Sequence, residues 1–237
     1  MLGVTVNAVA VIIGSLIGML FSKGIPEKIS STITVGLGLA TMYVGITGSL
    51  CGENTLVMIL SIVIGAIIGS LIDIDKRLNL FGEFVERKFN KSDGKTSVAQ
   101  GMVTASLVFC VGAMTIVGSL NAGISGDNTM LFTKSALDFM ISIVFASTMG
   151  FGVMLSSVFV FVFQGSIALL SGVIAPFLSD SVIVEMTCTG SLLVLAIGTN
   201  LAGISKIKVA NYLPAVFMPI ALCPLYDLIA GAIANLF

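Results

Sequence analysis

The chain alternates between long apolar stretches and short polar connections. The apolar stretches run over 3–21, 31–50, 55–74, 99–119, 133–152, 154–177, 183–203 and 209–234. Each is close to the ~20 residues that cross a hydrocarbon core as a helix. None alternates apolar with polar residues, which argues against the strands of a membrane barrel. The pattern predicts an all-α polytopic membrane protein, residues 1–237 forming a single transmembrane domain of about eight helices. The fifth and sixth stretches are nearly continuous, and their boundary rests only on Gly150, Gly152 and total length. The sixth contains Gln164, Gly165, Gly172 and Pro176, and a re-entrant hairpin there would leave seven spans. The first stretch begins at Gly3 with no basic region before it, which reads as a permanent span and not a cleaved signal.

The longest polar interval, 76–98, reads "KRLNLFGEFVERKFNKSDGKTSV". Leu78, Phe81, Phe84, Val85 and Phe89 recur at spacings near three and four, the pattern of an amphipathic helix lying on a membrane face. That segment serves either as an interfacial helix or as a docking loop for a soluble partner.

Composition agrees with the pattern. The chain is 57% hydrophobic and 10% charged, against about 25% charged in soluble domains. A net charge of −1 implies no nucleic-acid partner. The distribution of charge is more telling. Lys23 and Lys28 fall between the first two stretches, six basic residues within 76–98, and Lys206 with Lys208 before the last. The alternate connections hold Glu53, Asp127 and Asp180. Positive residues mark cytoplasmic loops, so the expected arrangement has both termini outside and the lysine-rich connections inside.

Small residues recur four apart at Gly14–Gly18, Gly36–Ala40, Gly65–Gly69 and Ala146–Gly150. Such pairs let helix backbones approach closely in lipid, either within the bundle or across a homodimer face. "AVIIGSLIG" (10–18) echoes "SIVFASTMG" (142–150), and "TVGLGLATMYVG" (34–45) loosely echoes "CTGSLLVLAIGT" (188–199). The second pair would run in opposite directions, as in the inverted repeats of secondary transporters.

Candidate chemistry is sparse. There is no histidine, and the four cysteines form no CxxC pair, so neither a zinc site nor a disulfide framework is expected, and no cofactor is implied. Polar groups inside apolar spans are costly and tend to face the interior. The candidates for binding a solute or ion are Asn7, Ser119, Asn121, Asp138, Gln164, Asn200 and Asn211. Asp138 follows Lys134 by four residues, so the two share a helix face, as a surface pair or as a buried ion or proton site. Pro214, Pro219 and Pro224 each remove an amide donor and are expected to break the last helix.

The stretch 109–165, with "VGSLNAGISGDNTMLFTKSALDFM" and the later "QGSIALL", resembles the bacterial membrane family known as domain of unknown function 554. "GVTVNAVAVIIGSLIG" and "EMTCTGSLLVLAIGTNLAGISKIKVANYLPA" extend the resemblance over essentially the whole chain. Asn7, Ser119, Asp138, Gln164 and Asn211 sit on the family pattern, and Asp73 in "GSLIDIDKRL" matches its acidic residue after the third span. Phe139 departs from it, standing where the family has glycine. The resemblance implies a transporter or permease in the bacterial cytoplasmic (inner) membrane and assigns no residue a role.

Three functions compete. The first is a secondary transporter of a small polar or ionic solute, ion- or proton-coupled and dimeric, with a site between the 109–138 and 199–214 regions. The second is a noncatalytic scaffold acting through 76–98. The third, an intramembrane aspartyl protease, lacks a credible carboxylate pair, and no HExxH or GxSxG is present. No enzymatic activity is expected.

Overall fold

The computed structural model describes residues 1–22, 27–89 and 97–234. Among them no strand occurs, and the helices follow the apolar stretches closely. Helices α1 (Leu2–Ser22), α2 (Glu27–Ser49) and α3 (Thr55–Ile72) come first, then the amphipathic α4 (Ile74–Phe89). Next are α5 (Val98–Cys110), α6 (Ala113–Ile124), α7 (Thr129–Met149) and α8 (Phe151–Leu169). After the single turn α9 (Ser171–Ile174) come α10 (Asp180–Leu201), a 3-10 segment Val209–Phe217, and α11 (Pro219–Ala234). Among the described residues, six helices are each long and apolar enough to cross a membrane. The pairs α5/α6 and Val209–Phe217/α11, bent by 67° and 49°, bring the number to eight if each pair is one span.

Polar residues at the helix ends explain where these elements begin. Asn54 Oδ1 accepts the Leu56 and Val57 amides to start α3, and Ser97 Oγ accepts the Gln100 amide to start α5. These side chains satisfy donors that the first turn leaves unpaired. The Thr129 amide donates to Asp127, holding its carboxyl below the ordinary carboxylate range. Asp73 ends α3 with φ at 52°, a left-handed position that short Asx side chains tolerate. The acidic residue after the third span is thus the corner between α3 and α4. Gly150, at φ 64°, separates α7 from α8, so the expected boundary between the fifth and sixth spans stands. α8 is an unbroken helix to Leu169, not a hairpin.

The breaks fall elsewhere. Gly112 takes φ 133°, which L side chains avoid, and the Thr115 hydroxyl donates to the Phe109 carbonyl at 3.1 Å across the bend. In the last span the chain bends after the 3-10 segment, whose register Pro214 accepts, and α11 restarts at Pro219. Proline suits a first helical position because its missing amide would have no partner there. Pro224, expected as a third break, lies inside α11, which runs on to Ala234. One lost bond in a sixteen-residue helix does not end it.

Glycines set how the helices pair. A Cβ at Gly14 would strike Ser142 and the Phe139 carbonyl, and one at Gly18 the Ile143 carbonyl, so α1 lies parallel to α7. Gly38 abuts Ala202, Gly45 abuts Leu195 and Gly48 abuts Ser191, so α2 lies antiparallel to α10. Both sequence echoes therefore fall on helices that pack against each other. The second pair runs in opposite directions, as expected, and the first in the same direction. Gly65 against Ala215 and Gly69 against Asn211 set α3 antiparallel to the 3-10 segment. Gly101 and Gly152 meet where α5 and α8 begin, and Gly123 lies against Ala168 and Ser171 where α6 and α8 end. These directions match eight alternating spans. They gather Lys28, Lys76, Arg77, Lys206 and Lys208 at one end of the bundle, with Glu53, Asp127 and Asp180 at the other. Arg87 and Lys88 lie in α4, whereas Lys23, Lys91 and Lys95 lie outside the described residues.

Candidate functional site

The core beneath the acidic end begins with an apolar layer of Val4, Ala122, Leu131 and Ala168, one residue from each of α1, α6, α7 and α8. One helical turn deeper along the same helices stand Asn7, Ser119, Lys134 and Gln164. Asp138 follows one turn beyond Lys134. Packing thus converts four separate polar positions into one buried polar layer.

The ion pair is the centre of that layer. Lys134 Nζ donates to both carboxylate oxygens of Asp138 at 2.8 Å. The two side chains are 8% and 3% exposed, so the surface-pair reading of Asp138 is excluded. Asn7 Nδ2 donates to Asp138 Oδ2 at 3.0 Å from the neighbouring α1. Three hydrogen bonds from two side chains therefore converge on one carboxylate inside the bundle.

The rest of the layer has polar capacity to spare. Asn7 Oδ1, Ser119 Oγ and both polar atoms of Gln164 are buried and have no hydrogen-bond partner among the described residues. Buried polar atoms are nearly always bonded, and leaving one bare costs about 1–3 kcal/mol. Four such atoms in the layer of a buried ion pair leave it polar where packing alone would favour apolar residues.

The other sequence candidates are placed differently. Asn121 is half-buried near the end of α6, one turn from the layer toward the surface. Asn200 lies at the lysine-rich end and is spent on backbone: Nδ2 donates to the Ile207 carbonyl, while Oδ1 accepts the Ser205 hydroxyl and the Ile207 amide. Asn211 Oδ1 accepts the Asp75 amide at 2.8 Å, tying the 3-10 segment to α4. Asn200 and Asn211 are thus loop and helix ties and do not join Asp138 in a site. Asn128 Oδ1 accepts the Gly3 amide at 2.8 Å, so the "GDNT" turn also fastens α1 to α7.

Two residues were not among the sequence candidates. Lys134 was legible as the i,i+4 partner of Asp138 but not as buried. Glu185 was overlooked, although it is an acidic residue inside an apolar span. It is 3% exposed, and its Oε1 accepts the Glu53 amide at 2.7 Å and the Asn54 amide at 2.6 Å. It clasps the α2–α3 turn onto α10. Glu185→Ala should leave both amides bare and destabilise the purified protein by about 1–3 kcal/mol per amide. Glu185→Gln, which keeps an acceptor oxygen, should recover most of the loss in thermal unfolding. Equal unfolding midpoints for the two variants would contradict the clasp.

The four cysteines are all free. Cys51 and Cys188 donate to the Val184 and Ser49 carbonyls, on either side of the Glu185 clasp.

Comparison with known proteins agrees with this architecture. The chain matches the family described as "Protein of unknown function (DUF554)" over residues 2–224. It is 35% identical to the uncharacterized membrane protein YdfK of Bacillus subtilis (strain 168), over 92% of this chain and 94% of that one. It is 32% identical to the uncharacterized protein YqgA of Escherichia coli (strain K12), over 93% and 95% respectively. No solved structure matches the chain significantly. The family match along residues 2–224, on a chain with six to eight candidate membrane spans among the described residues, makes this a membrane protein of the DUF554 family.

Proposed function

We propose that the protein is a secondary transporter of a small polar or ionic solute, with Asp138 as its proton-linked group and Lys134, Asn7, Ser119 and Gln164 as the groups that meet the solute. The observation that carries this reading is the ion pair held at 8% and 3% exposure amid four bare polar atoms. Such a pair gains little stability over apolar residues of the same size, because desolvation offsets the attraction. Ionisable side chains inside a membrane bundle are commonly tied to an ion or substrate path.

The chemistry is an exchange of partners. With Asp138 ionised, Lys134 is neutralised internally. A proton delivered to Asp138 removes that negative charge and leaves the ammonium free for an acceptor on the solute. Asn7 Oδ1, Ser119 and Gln164 supply neutral donors and acceptors around it. The pair is sealed in this conformation, so access needs motion. The bends at Gly112 and after Phe217 are the natural pivots, because discontinuous helices are a recurrent transporter device.

The lysine-rich end would face the cytoplasm of a bacterial inner membrane, with both termini outside. The partners are the bilayer, the solute and a second copy of the chain, and no covalent chemistry is involved. α4 lies against the bundle with Leu80, Phe81 and Phe84 about half exposed, which suits an interfacial helix better than a loop held out for a soluble partner.

Proteoliposomes given a pH gradient should accumulate a solute from a panel of small carboxylates, phosphate and amino acids, and a protonophore should abolish the uptake. Asp138→Asn should uncouple flux from the gradient, lowering driven uptake by about tenfold or more, a change of roughly 1.4 kcal/mol or greater. Driven uptake undiminished in Asp138→Asn would sink the assignment.

A further inference from the structure

A cavity of about 470 Å³ opens at the lysine-rich end, apart from the ion pair. That volume is typical of small-molecule sites, which run from about 300 to 1,000 Å³. Four elements wall it: the start of α4, the first turns of α5, the C-terminal turn of α10 and the 203–210 connection. Its floor includes Ile197 and Val209, both buried in the main core, so the cavity runs from the surface down between α5 and α10.

Its charge has one dominant sign. Lys206 and Lys208 line it, opposed by the single carboxylate of Asp75. Asn79 Nδ2 already donates to that carboxylate at 3.2 Å. Ser97 and Gln100 bring the N-terminal turn of α5 to the wall, which adds partial positive charge. The lysines are carried on a fixed loop. Gly203 turns the chain at φ 75°, Thr199 and Ser205 join through their hydroxyls at 2.7 Å, and Asn200 grips the backbone at Ile207. The side chain that sequence reading offered as a ligand thus holds the loop that presents two ammonium groups.

We infer that this cavity binds a small oxyanion, a carboxylate or a phosphate, at the lysine-rich end of the protein. Two ammonium groups, a helix N-terminus and the Gln100 amide above an apolar floor suit a compact anion with a short carbon body. The further step, that this anion is the transported solute and that Lys134 is its second cationic contact, rests on the transport reading. Binding itself does not.

The test is equilibrium binding by the full-length protein in phosphatidylcholine nanodiscs. Succinate and inorganic phosphate are the probes, with chloride at matched ionic strength as the reference. Either probe should raise the unfolding midpoint and give a saturable isotherm. Lys206→Gln/Lys208→Gln should weaken binding by about tenfold or more, as expected for lost charge-assisted contacts. Both lysines are exposed on the surface, so folding should survive. Asp75→Asn should tighten binding, a gain that a damaged fold would not produce. No response beyond chloride, or an equal response in the double-lysine variant, would overturn the site. Loss of the solute signal in phosphatidylglycerol discs would assign the cavity to a lipid phosphate and overturn the soluble anion as occupant. Binding without flux would count against transport alone, and flux without binding against this cavity alone.

Discussion

Asp138→Ala is expected to destabilise the purified protein by about 3–5 kcal/mol, because it strands the Lys134 ammonium in the core without its counter-ion. The cost arises less from the lost attraction than from the charge left behind. A double variant that removes both charges, Lys134→Met with Asp138→Leu, should therefore be more stable than the single variant and close to the parent. It leaves the Asn7 amide without its acceptor, a penalty of about 1–3 kcal/mol, which Asn7→Leu in the same background should relieve. Thermal unfolding in one detergent orders these variants. Flux should be absent from all of them. A stable triple variant without flux is the expected mark of a pair kept for function. Asp138→Ala unfolding at or above the temperature of the double variant would show that the ammonium escapes to water, and the buried-pair account would fail.

The second large effect concerns the α3 crossing. A Cβ at Gly69 would overlap the Asn211 carbonyl, and one at Gly65 the Ala215 backbone. Backbone cannot move aside as a side-chain tip does. Gly69→Leu should therefore exceed the usual overpacking cost of about 1–3 kcal/mol and push α3 off the 3-10 segment. Gly36→Leu is the control. Gly36 also lies in a long apolar helix, but nothing stands within 4 Å of its would-be Cβ, so its effect should stay within about ±0.5 kcal/mol. Comparable losses for the two substitutions would show that helix flexibility, not contact, is what the glycines provide.

The spans were legible because hydrophobic length is a local property. α1, α3, α7 and α10 begin and end within a few residues of the apolar stretches that predict them. The break at Gly112 was not, since one glycine in an apolar run reads like the packing glycines around it. Only its φ of 133° distinguishes it. The prolines were the better guide: Pro214 lies in the 3-10 segment and Pro219 opens α11 just past the bend, and only Pro224 is absorbed by a helix. For the site, helical spacing alone joined Lys134 to Asp138. That Asn7 completes the group, and that Gln164 and Ser119 share its layer, depends on α1, α6 and α8 meeting α7, which no local pattern encodes. Asn200 and Asn211 were expected at the site because polar residues in spans are costly. Both meet that cost by hydrogen-bonding backbone at a helix end, an equally good solution that sequence cannot tell from ligand binding.

The placement of the pair also bears on how the chain enters the membrane. A lone lysine or aspartate at mid-helix resists insertion by about 2.5–3.5 kcal/mol on translocon scales. Lys134 and Asp138 leave the ribosome on the same helix, one turn apart, so α7 reaches the lipid carrying its own neutralisation and need not wait for a neighbour. Asn7 has no such help. Its partner follows 131 residues later, so α1 must sit in the bilayer with its amide unmatched while more than half the protein is synthesised. Closure of the bundle is therefore a late event in biogenesis, timed by the arrival of α7 and not by the hydrophobicity of α1.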